Sequence, residues 1–444
     1  MERQRRSFAA ADGKMASAVS TGDRSDKRRT SSGALTPILR LEHDILCMIF
    51  AYLDMFDLVR CSAVCKSWNS IMNDSSLLNK YYYKQQISSS FTPGTSASRE
   101  KPLRIVLQEL AMEQHRLALQ EGYIHIDQWR GHSARVDQCR MRRGLILTGI
   151  GDKVMRLWSL EGYRCMEEYS IPDRVSLVDF DFDESKIVGL VGTRLCIWRR
   201  NGKRSIFPSQ EGTFPKGLCM RYFDPDAVVG CEDGTARVFD MYSRRCSQII
   251  RMHSSPISSL CLGDDQLILS GSSVGSITIS DPSTLEQVTK LKSIDGTAIR
   301  TLCLNPTSEY VFAGSADGYT YCWDLRTRRR LWEKRVSPHI FSIQHLQNDT
   351  STLAVGGIDG VFRMLDQNNG DIVARCIVKD DGLISTCQSA SGAIQRLKGR
   401  RIHEDAIIDR IPRAARPPIT CLAVGMKKVV TTHGTGNIRL WKFN

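Results

Sequence analysis

The chain has 444 residues, 41% hydrophobic and 25% charged, with 61 basic against 48 acidic side chains and a formal net charge of +13. That length predicts two or three domains and is far more than a peptide or toxin needs. With no run of 18 consecutive apolar residues, a conventional membrane-spanning helix is excluded. The fifteen cysteines form no C-x-x-C pair, and the opening MERQRRSFAAADGK has no apolar core of signal-peptide length. The chain therefore reads as a nuclear or cytoplasmic protein with reduced thiols.

Residues 1–36 carry eight basic and four acidic groups, six serines and almost no large apolar side chain. Such a segment buries too little surface to offset chain ordering, and it is expected to be a disordered basic tail. Lys27-Arg28-Arg29 is either a nuclear-import signal or plain solvated charge. Residues 37–86 are expected to form a helical module. Leu41, Ile45, Leu46, Ile49, Phe50 and Leu53 recur at helical intervals, as do Leu58, Cys61, Val64, Cys65, Trp68 and Ile71. Asp57 is placed as the N-cap of the second run, and Leu77, Leu78 and Tyr81 suggest a further short helix after Ser75 and Ser76. About 45 residues of helix bury little of their own surface, so either the rest of the chain or a partner must cover the remaining apolar face.

The run LEHDILCMIFAYLDMFDLVRCSAVCKSWNSI resembles an F-box. Leu41, Asp44, Ile45, Ile49, Phe50, Leu53, Asp57, Leu58, Val64, Cys65, Lys66 and Trp68 match its pattern, while Glu42 stands where the family usually has proline. The resemblance implies docking on the Skp-family adaptor of SCF ubiquitin ligases, and through it on a cullin. Leu41, Ile45, Ile49, Phe50, Leu53, Leu58, Val64, Cys65 and Trp68 would be the adaptor-binding side chains.

Residues 87–121 predict a Ser/Thr/Gly/Pro-rich loop followed by a helix opened by Pro102 and closed by Gly122. Nineteen helical residues reach about 28 Å. The helix is either a rod separating two modules or a helix packed under the next domain.

From residue 122 onward the chain repeats. The strands VMRLWS, RLCIWR, ARVFDM, SITISD, YTYCWD, VFRMLD and NIRLWK each follow a tight turn, at Asp152, Gly192, Asp233, Val274, Asp317, Asp359 and Thr435. Five of the six intervals lie near 42 residues, and the last is longer by about 34. A period of that length with four strands per unit predicts a β-propeller. The segment 122–444 is expected to be a seven-bladed propeller with an inserted loop at 377–415. Cys219, Cys261 and Cys303, spaced 42 apart, read as core positions. Gly131-His132, Thr148, Asp152, Trp158 and the Trp323-Asp324 dipeptide resemble the WD-repeat family. The last unit lacks a fourth strand, which residues 123–129 can supply, closing the ring with both chain ends. The fold class expected is mainly β with an α-helical N-terminal module.

No catalytic constellation emerges. Gly271-Ser272-Ser273-Val274-Gly275 matches a nucleophile elbow, but it falls in register with the hairpin turns. Asp179, Asp181 and Asp183 lack the glycine of a calcium loop. No metal, cofactor or enzymatic activity is expected, and nucleic-acid binding is a minority option because the basic residues do not run together with aromatics. In WD-repeat propellers the starts of the inner strands surround the channel mouth. The resemblance places Arg135, Arg174, Lys216, Arg300 and His339 there, with Asp137 among them. Guanidinium and ammonium groups so placed suit phosphate or carboxylate. The segment RLKGRR, Arg396 to Arg401, either adds contacts or is a mobile loop. The expected function is that of a non-catalytic SCF substrate receptor holding an acidic or phosphorylated degron. The alternative is a non-ligase WD-repeat scaffold, possible in RNA processing.

Overall fold

The computed structural model describes residues 41–53, 55–72, 103–171, 176–200, 204–206, 214–263, 266–293, 296–389, 392–403 and 405–444. The expected basic tail, the Ser-rich linker and the short helix near Leu77 lie outside the described residues. The chain divides into two compact units, residues 1–107 and 108–444.

In the first unit, α1 (His43–Phe50), α2 (Met55–Ser62) and α3 (Lys66–Met72) bury Leu46, Cys47, Phe50, Leu58, Ile71 and Met72 against one another. The Phe50 ring meets Trp68 edge-on at 5.1 Å. The second periodic run is two helices, not one. The amides of Ala63 and Val64 turn back to Arg60 and Cys61, and Cys65 Sγ then accepts the Trp68 amide at 3.5 Å, serving as a weak cap for α3. Asp57 does not cap α2. It lies inside the first turn, where a carboxylate favours the helix dipole, and it pairs with Arg60 at 2.8 Å.

The second unit begins within α4 (Leu103–Glu121), which Gly122 ends by donating its amide to Ala118. A Cβ at Gly122 would sit 2.6 Å from the Ala118 carbonyl and 2.7 Å from that of Asn444, so only glycine fits there. Next comes β1 (Ile124–Arg130). Blade 1 is β2 (Val136–Arg142), β3 (Leu145–Ile150), β4 (Val154–Ser159) and β5 (Cys165–Ser170). Blade 2 is β6 (Leu177–Phe182), β7 (Lys186–Val191), β8 (Arg194–Arg199) and β9 (Arg204–Ile206). Blade 3 is β10 (Gly217–Phe223), β11 (Asp226–Cys231), β12 (Thr235–Asp240) and β13 (Arg245–Arg251). Blade 4 is β14 (Ile257–Leu262), β15 (Ile268–Ser272), β16 (Ser276–Asp281) and β17 (Glu286–Lys292). Blade 5 is β18 (Ile299–Asn305), β19 (Tyr310–Ser315), β20 (Tyr319–Asp324) and β21 (Arg329–Arg335).

The remaining strands form one nine-stranded sheet. Blade 6 is β22 (Ile340–Gln344), β23 (Thr352–Gly357), β24 (Phe362–Asp366) and the long β25 (Ile372–Ser389), with β26 (Gly392–Arg401) paired beyond it. Blade 7 is β27 (Ile419–Gly425), β28 (Lys428–His433), β29 (Asn437–Phe443) and β1. The inner strands β2, β6, β10, β14, β18, β22 and β27 neighbour one another in a closed cycle. The N-terminal strand pairs with the C-terminal one from Ile124↔Phe443 to Arg130↔Asn437.

Residues 377–415 are not an inserted loop over their length. Residues 377–389 belong to β25 and residues 392–401 to β26, and these two strands pair with each other while β26 also pairs with β1 from Trp129↔Ile394 to His125↔Lys398. The supposed outer edge strand β1 is thus covered on both sides. RLKGRR lies in β26, and Gly399 lets that strand close on Ile124, to which a Cβ would come within 2.3 Å. Behind it, Ala118 and Leu119 of α4 join Ile126, Phe362, Trp441 and Phe443 in one core. Arg401 donates to the carbonyls of Leu119 and Gly122 at 2.8 and 2.7 Å, so the C-terminal half of α4 packs on the propeller unit and is not a free rod.

Between blades the contact is knob into gap. Gly230, Gly271, Gly314 and Gly356 each leave room for the β-branched residue that opens the next inner strand, Ile257, Ile299, Ile340 or Ile419. A Cβ on any of the four glycines would lie 2.6 to 2.7 Å from an atom of that isoleucine.

Candidate functional site

In blade 1 the His132, Thr148, Asp152 and Trp158 network forms as the sequence predicts. His132 Nδ1 lies 3.0 Å from Asp152, its Nε2 lies 2.8 Å from Thr148 Oγ1, and Trp158 Nε1 donates to the same hydroxyl at 2.9 Å. Burial keeps the imidazole below its ordinary pKa, with Arg156 adding to the effect. Burial alone would raise the Asp152 carboxyl, but hydrogen bonds from Arg156 and His132 outweigh it and hold the group low. The network ties the loop entering blade 1 to its own hairpin, a structural task. Blade 7 keeps a Thr–Trp–His part of it, with Trp441 Nε1 donating to Thr431 Oγ1 at 2.9 Å and His433 Nε2 lying 3.0 Å from that hydroxyl. In blade 4 a different set, His253 with Ser270 and Ser276, fills the place.

On the channel side, the three aspartates that alternate near β6 staple blade 2 to its neighbours. Asp179 accepts from Arg140 of blade 1 at 3.0 Å and from Arg221 and the Met220 amide of blade 3 at 3.3 and 3.0 Å. Asp181 accepts the Tyr222 amide at 3.2 Å and faces Arg142. Asp183 takes the Tyr222 hydroxyl at 2.6 Å. Alternation places all three on one face of the strand, but their partners lie about 40 residues away, where only the ring brings them into reach. Among the described residues no group of three or more His, Cys, Asp or Glu side chains is arranged to hold a metal ion.

The first candidate docking surface lies on α1. Leu46, Cys47 and Phe50 point inward, whereas Ile45, Met48, Ile49 and, just past the helix end, Tyr52 point outward at 44%, 60%, 40% and 84% exposure. Spacings of three and four put these four on one stripe. Val64, in the turn between α2 and α3, is 64% exposed. Of the nine residues expected to contact an adaptor, Ile45, Ile49 and Val64 are therefore outward. Leu41, Leu53, Cys65 and Trp68 are half-buried. Phe50 and Leu58 are corrected: at 2% and 3% exposure they are the module's own core and shape the face from behind. Met48 and Tyr52 were missed, although the i, i+3, i+4, i+7 pattern from Ile45 contains both.

The second candidate surface is the face where the seven inner strands begin. Lys216 and Arg300 are exposed there and make no ion pair among the described residues. Arg135 is exposed too, but Asp137 holds its guanidinium at 2.5 Å, which offsets its charge. His339 donates from Nδ1 to the Ala316 carbonyl, leaving Nε2 to the open side. Arg174 lies outside the described residues. Among the described residues expected at this mouth, two are free cations, one is a paired arginine and one is an imidazole. RLKGRR, in β26 against β1, lies on the outer strands of the sheet instead.

Comparison with known proteins finds family matches in both parts of the chain. A family model described as F-box-like matches residues 39–84, and one described as WD domain, G-beta repeat matches residues 287–324. An F-box/WD-40 repeat-containing protein of Arabidopsis thaliana is 52% identical over 447 residues, spanning 96% of this chain and 98% of that protein. A ribosome biogenesis protein of Debaryomyces hansenii is 30% identical over 158 residues, covering 34% of this chain and 31% of its own. The computationally designed Ika8 protein superposes with a TM-score of 0.49 at 14% identity, over 70% of this chain and 97% of that one.

Proposed function

Because the chain belongs to the F-box/WD-40 repeat family, we propose that it is a non-catalytic substrate receptor of an SCF-type ubiquitin ligase. The F-box-like module docks on a Skp-family adaptor, and through it a cullin. The propeller mouth holds an acidic or phosphorylated protein segment for ubiquitin transfer by other subunits, so that the receptor contributes proximity.

The observation that carries this reading is the stripe Ile45, Met48, Ile49 and Tyr52. An eight-residue helix that buries one apolar side in its own module and leaves the other outward is built to be covered by a second protein. At the mouth, Lys216 and Arg300 supply two unpaired positive charges, and Arg135 becomes available if an incoming phosphate displaces Asp137. Lysine acts there as a point charge, while arginine offers a planar fork to oxyanions. In this reading the chain works in the nucleus or the cytoplasm.

The test is recovery of purified Skp-family adaptor on the full-length chain. Ile45→Asp with Ile49→Asp is expected to abolish recovery while the melting transition of the chain is retained. Lys216→Glu with Arg300→Glu is expected to keep the adaptor and lose the substrate proteins that co-purify. Equal adaptor recovery by wild type and the α1 variant, or none by either, overturns the ligase reading.

A further inference from the structure

Strand pairing brings together basic side chains that the sequence keeps far apart. Lys398 of β26 lies directly opposite His125 of β1, His125 opposite Lys442 of β29, and Lys442 opposite Lys428 of β28. Cross-strand partners project to the same face, so these four side chains make one row across four strands, about 14 Å long at the ordinary strand spacing. Arg396 and Arg400, two residues to either side of Lys398, keep its parity and extend the row along β26. Arg396, Lys398, Arg400, His125 and Lys428 are all exposed.

Only Lys442 in the row is neutralised. It pairs with Asp127 at 2.5 Å and sits over the Tyr163 ring at 5.3 Å. Asp127, opposite Arg396, is spoken for by that lysine and by the Tyr163 hydroxyl. No ion pair among the described residues engages Arg396, Lys398, Arg400 or Lys428. Only Lys442 and Lys428 set like charges directly opposite one another, a destabilising arrangement that Asp127 beside Lys442 offsets. Tyr123, two residues before His125 and so of the same parity, is 83% exposed. An uncovered aromatic ring beside a row of cations combines the two elements that hold single strands, backbone neutralisation and base stacking.

We propose that this face of blade 7 binds single-stranded nucleic acid, with the lysines and arginines on phosphates and Tyr123 stacked on a base. The surface is distinct from the propeller mouth and independent of the ligase reading. Its contributors come from residues 123–125, 396–400, 428 and 442, which is why no basic–aromatic run marks it in the sequence.

The experiment is fluorescence anisotropy of the full-length chain with labelled twelve-nucleotide single-stranded RNA and DNA across a salt series, with polyglutamate as competitor. Binding is expected with a log–log salt slope of about −2 to −3, as three or four phosphate contacts give. Lys398→Gln with Lys428→Gln should flatten the slope by about 1.4 and, by relieving repulsion, leave the melting temperature unchanged or raised. Tyr123→Ala should weaken binding about tenfold with the slope unchanged. Lys216→Glu with Arg300→Glu, at the mouth, should leave affinity within about twofold, a response to charge alone that long-range screening limits. No binding, binding indifferent to the blade 7 variants, or polyglutamate competition equal at matched charge with no effect of Tyr123→Ala would overturn the proposal. The last outcome would assign the face to acidic polypeptide.

Discussion

Arg140 and Asp179, on the inner strands of adjacent blades and 39 residues apart, meet at 3.0 Å with their side chains almost wholly buried. Burial works against the Arg140 charge, but Asp179 and Asp181 nearby more than restore it. A buried pair of this kind contributes modestly as a pair, but removing one partner strands the other in a poorly solvated site. Asp179→Ala takes the paired carboxylate from Arg140, leaving it the neutral acceptors of Gln138 and Cys139, and weakens Arg221 as well. The expected cost is about 3–5 kcal/mol, read as a fall in the urea midpoint of the full chain. A change under 1 kcal/mol would show that water reaches this part of the channel freely.

The two sides of α1 should separate in their effects. Phe50→Ala removes a core ring packed on Trp68 and should destabilise the helical module by about 3–5 kcal/mol. Ile49→Asp alters an outward residue and should move stability by less than about 0.5 kcal/mol while lowering adaptor affinity at least tenfold. Hydrogen exchange of α1 to α3 separates loss of fold from loss of contact.

Two buried imidazoles predict acid sensitivity. Burial pushes His253 down to about 4 and His433, with Arg439 beside it, down to about 3. Both stay neutral in the fold, while the unfolded chain binds their protons near 6.5. Between these values the unfolded state holds more protons, so stability is full above pH 6.5 and is lost as pH falls toward 4. Each histidine contributes a slope approaching about 1.4 kcal/mol per pH unit. His433 Nδ1 donates to the Pro418 carbonyl and its Nε2 lies 3.0 Å from Thr431 Oγ1. His433→Gln should keep part of that bonding and flatten the dependence of denaturation midpoint on pH between 6 and 4.

The blade junctions predict coupled substitutions. A Cβ at Gly314 would lie 2.6 Å from Ile340 Cγ2 and 2.9 Å from Ile343 Cδ1, so Gly314→Ala should cost about 1–3 kcal/mol by overpacking. Adding Ile340→Ala removes the obstructing carbon, and the double variant should be less unstable than the sum of the singles, measured as a thermodynamic cycle. Strict additivity would mean that the two blades do not touch there in solution.

The ring was legible because each blade carries its own signal: a turn, an alternating strand and a spacing near 42, all within one window. Gly234 at φ 81° and Gly318 at φ 93° sit in the left-handed region that such turns need. The pairing of β1 with β29 was also legible, since the last unit lacked a strand that residues 123–129 could supply. The β25–β26 pairing was not. Its second strand is fixed by β1, some 270 residues away, and neither Arg396 nor Lys398 breaks the pattern of a loop. Phe50 and Ile49 show a different limit. Both are apolar and adjacent on a helix apolar nearly all round, so periodicity cannot say which one faces inward until α2 and α3 are in place. Alignment of the units places Arg135 at the start of an inner strand, but its pairing with Asp137 depends on a side-chain choice that alignment does not register.

The β1–β29 pairing has a consequence during synthesis. The strand that completes blade 7 leaves the ribosome early, and its mate emerges only after more than 300 further residues, roughly a quarter of a minute to a minute later. For most of that interval, until β26 emerges, Ile124, Ile126 and Trp129 have no sheet to enter, and a nascent chain halted before Asn437 leaves the other edge of β1 unpaired. Folding helpers would meet this polypeptide chiefly at that seam, and premature stops, even ones costing only the last few residues, should be cleared as if the whole ring were missing.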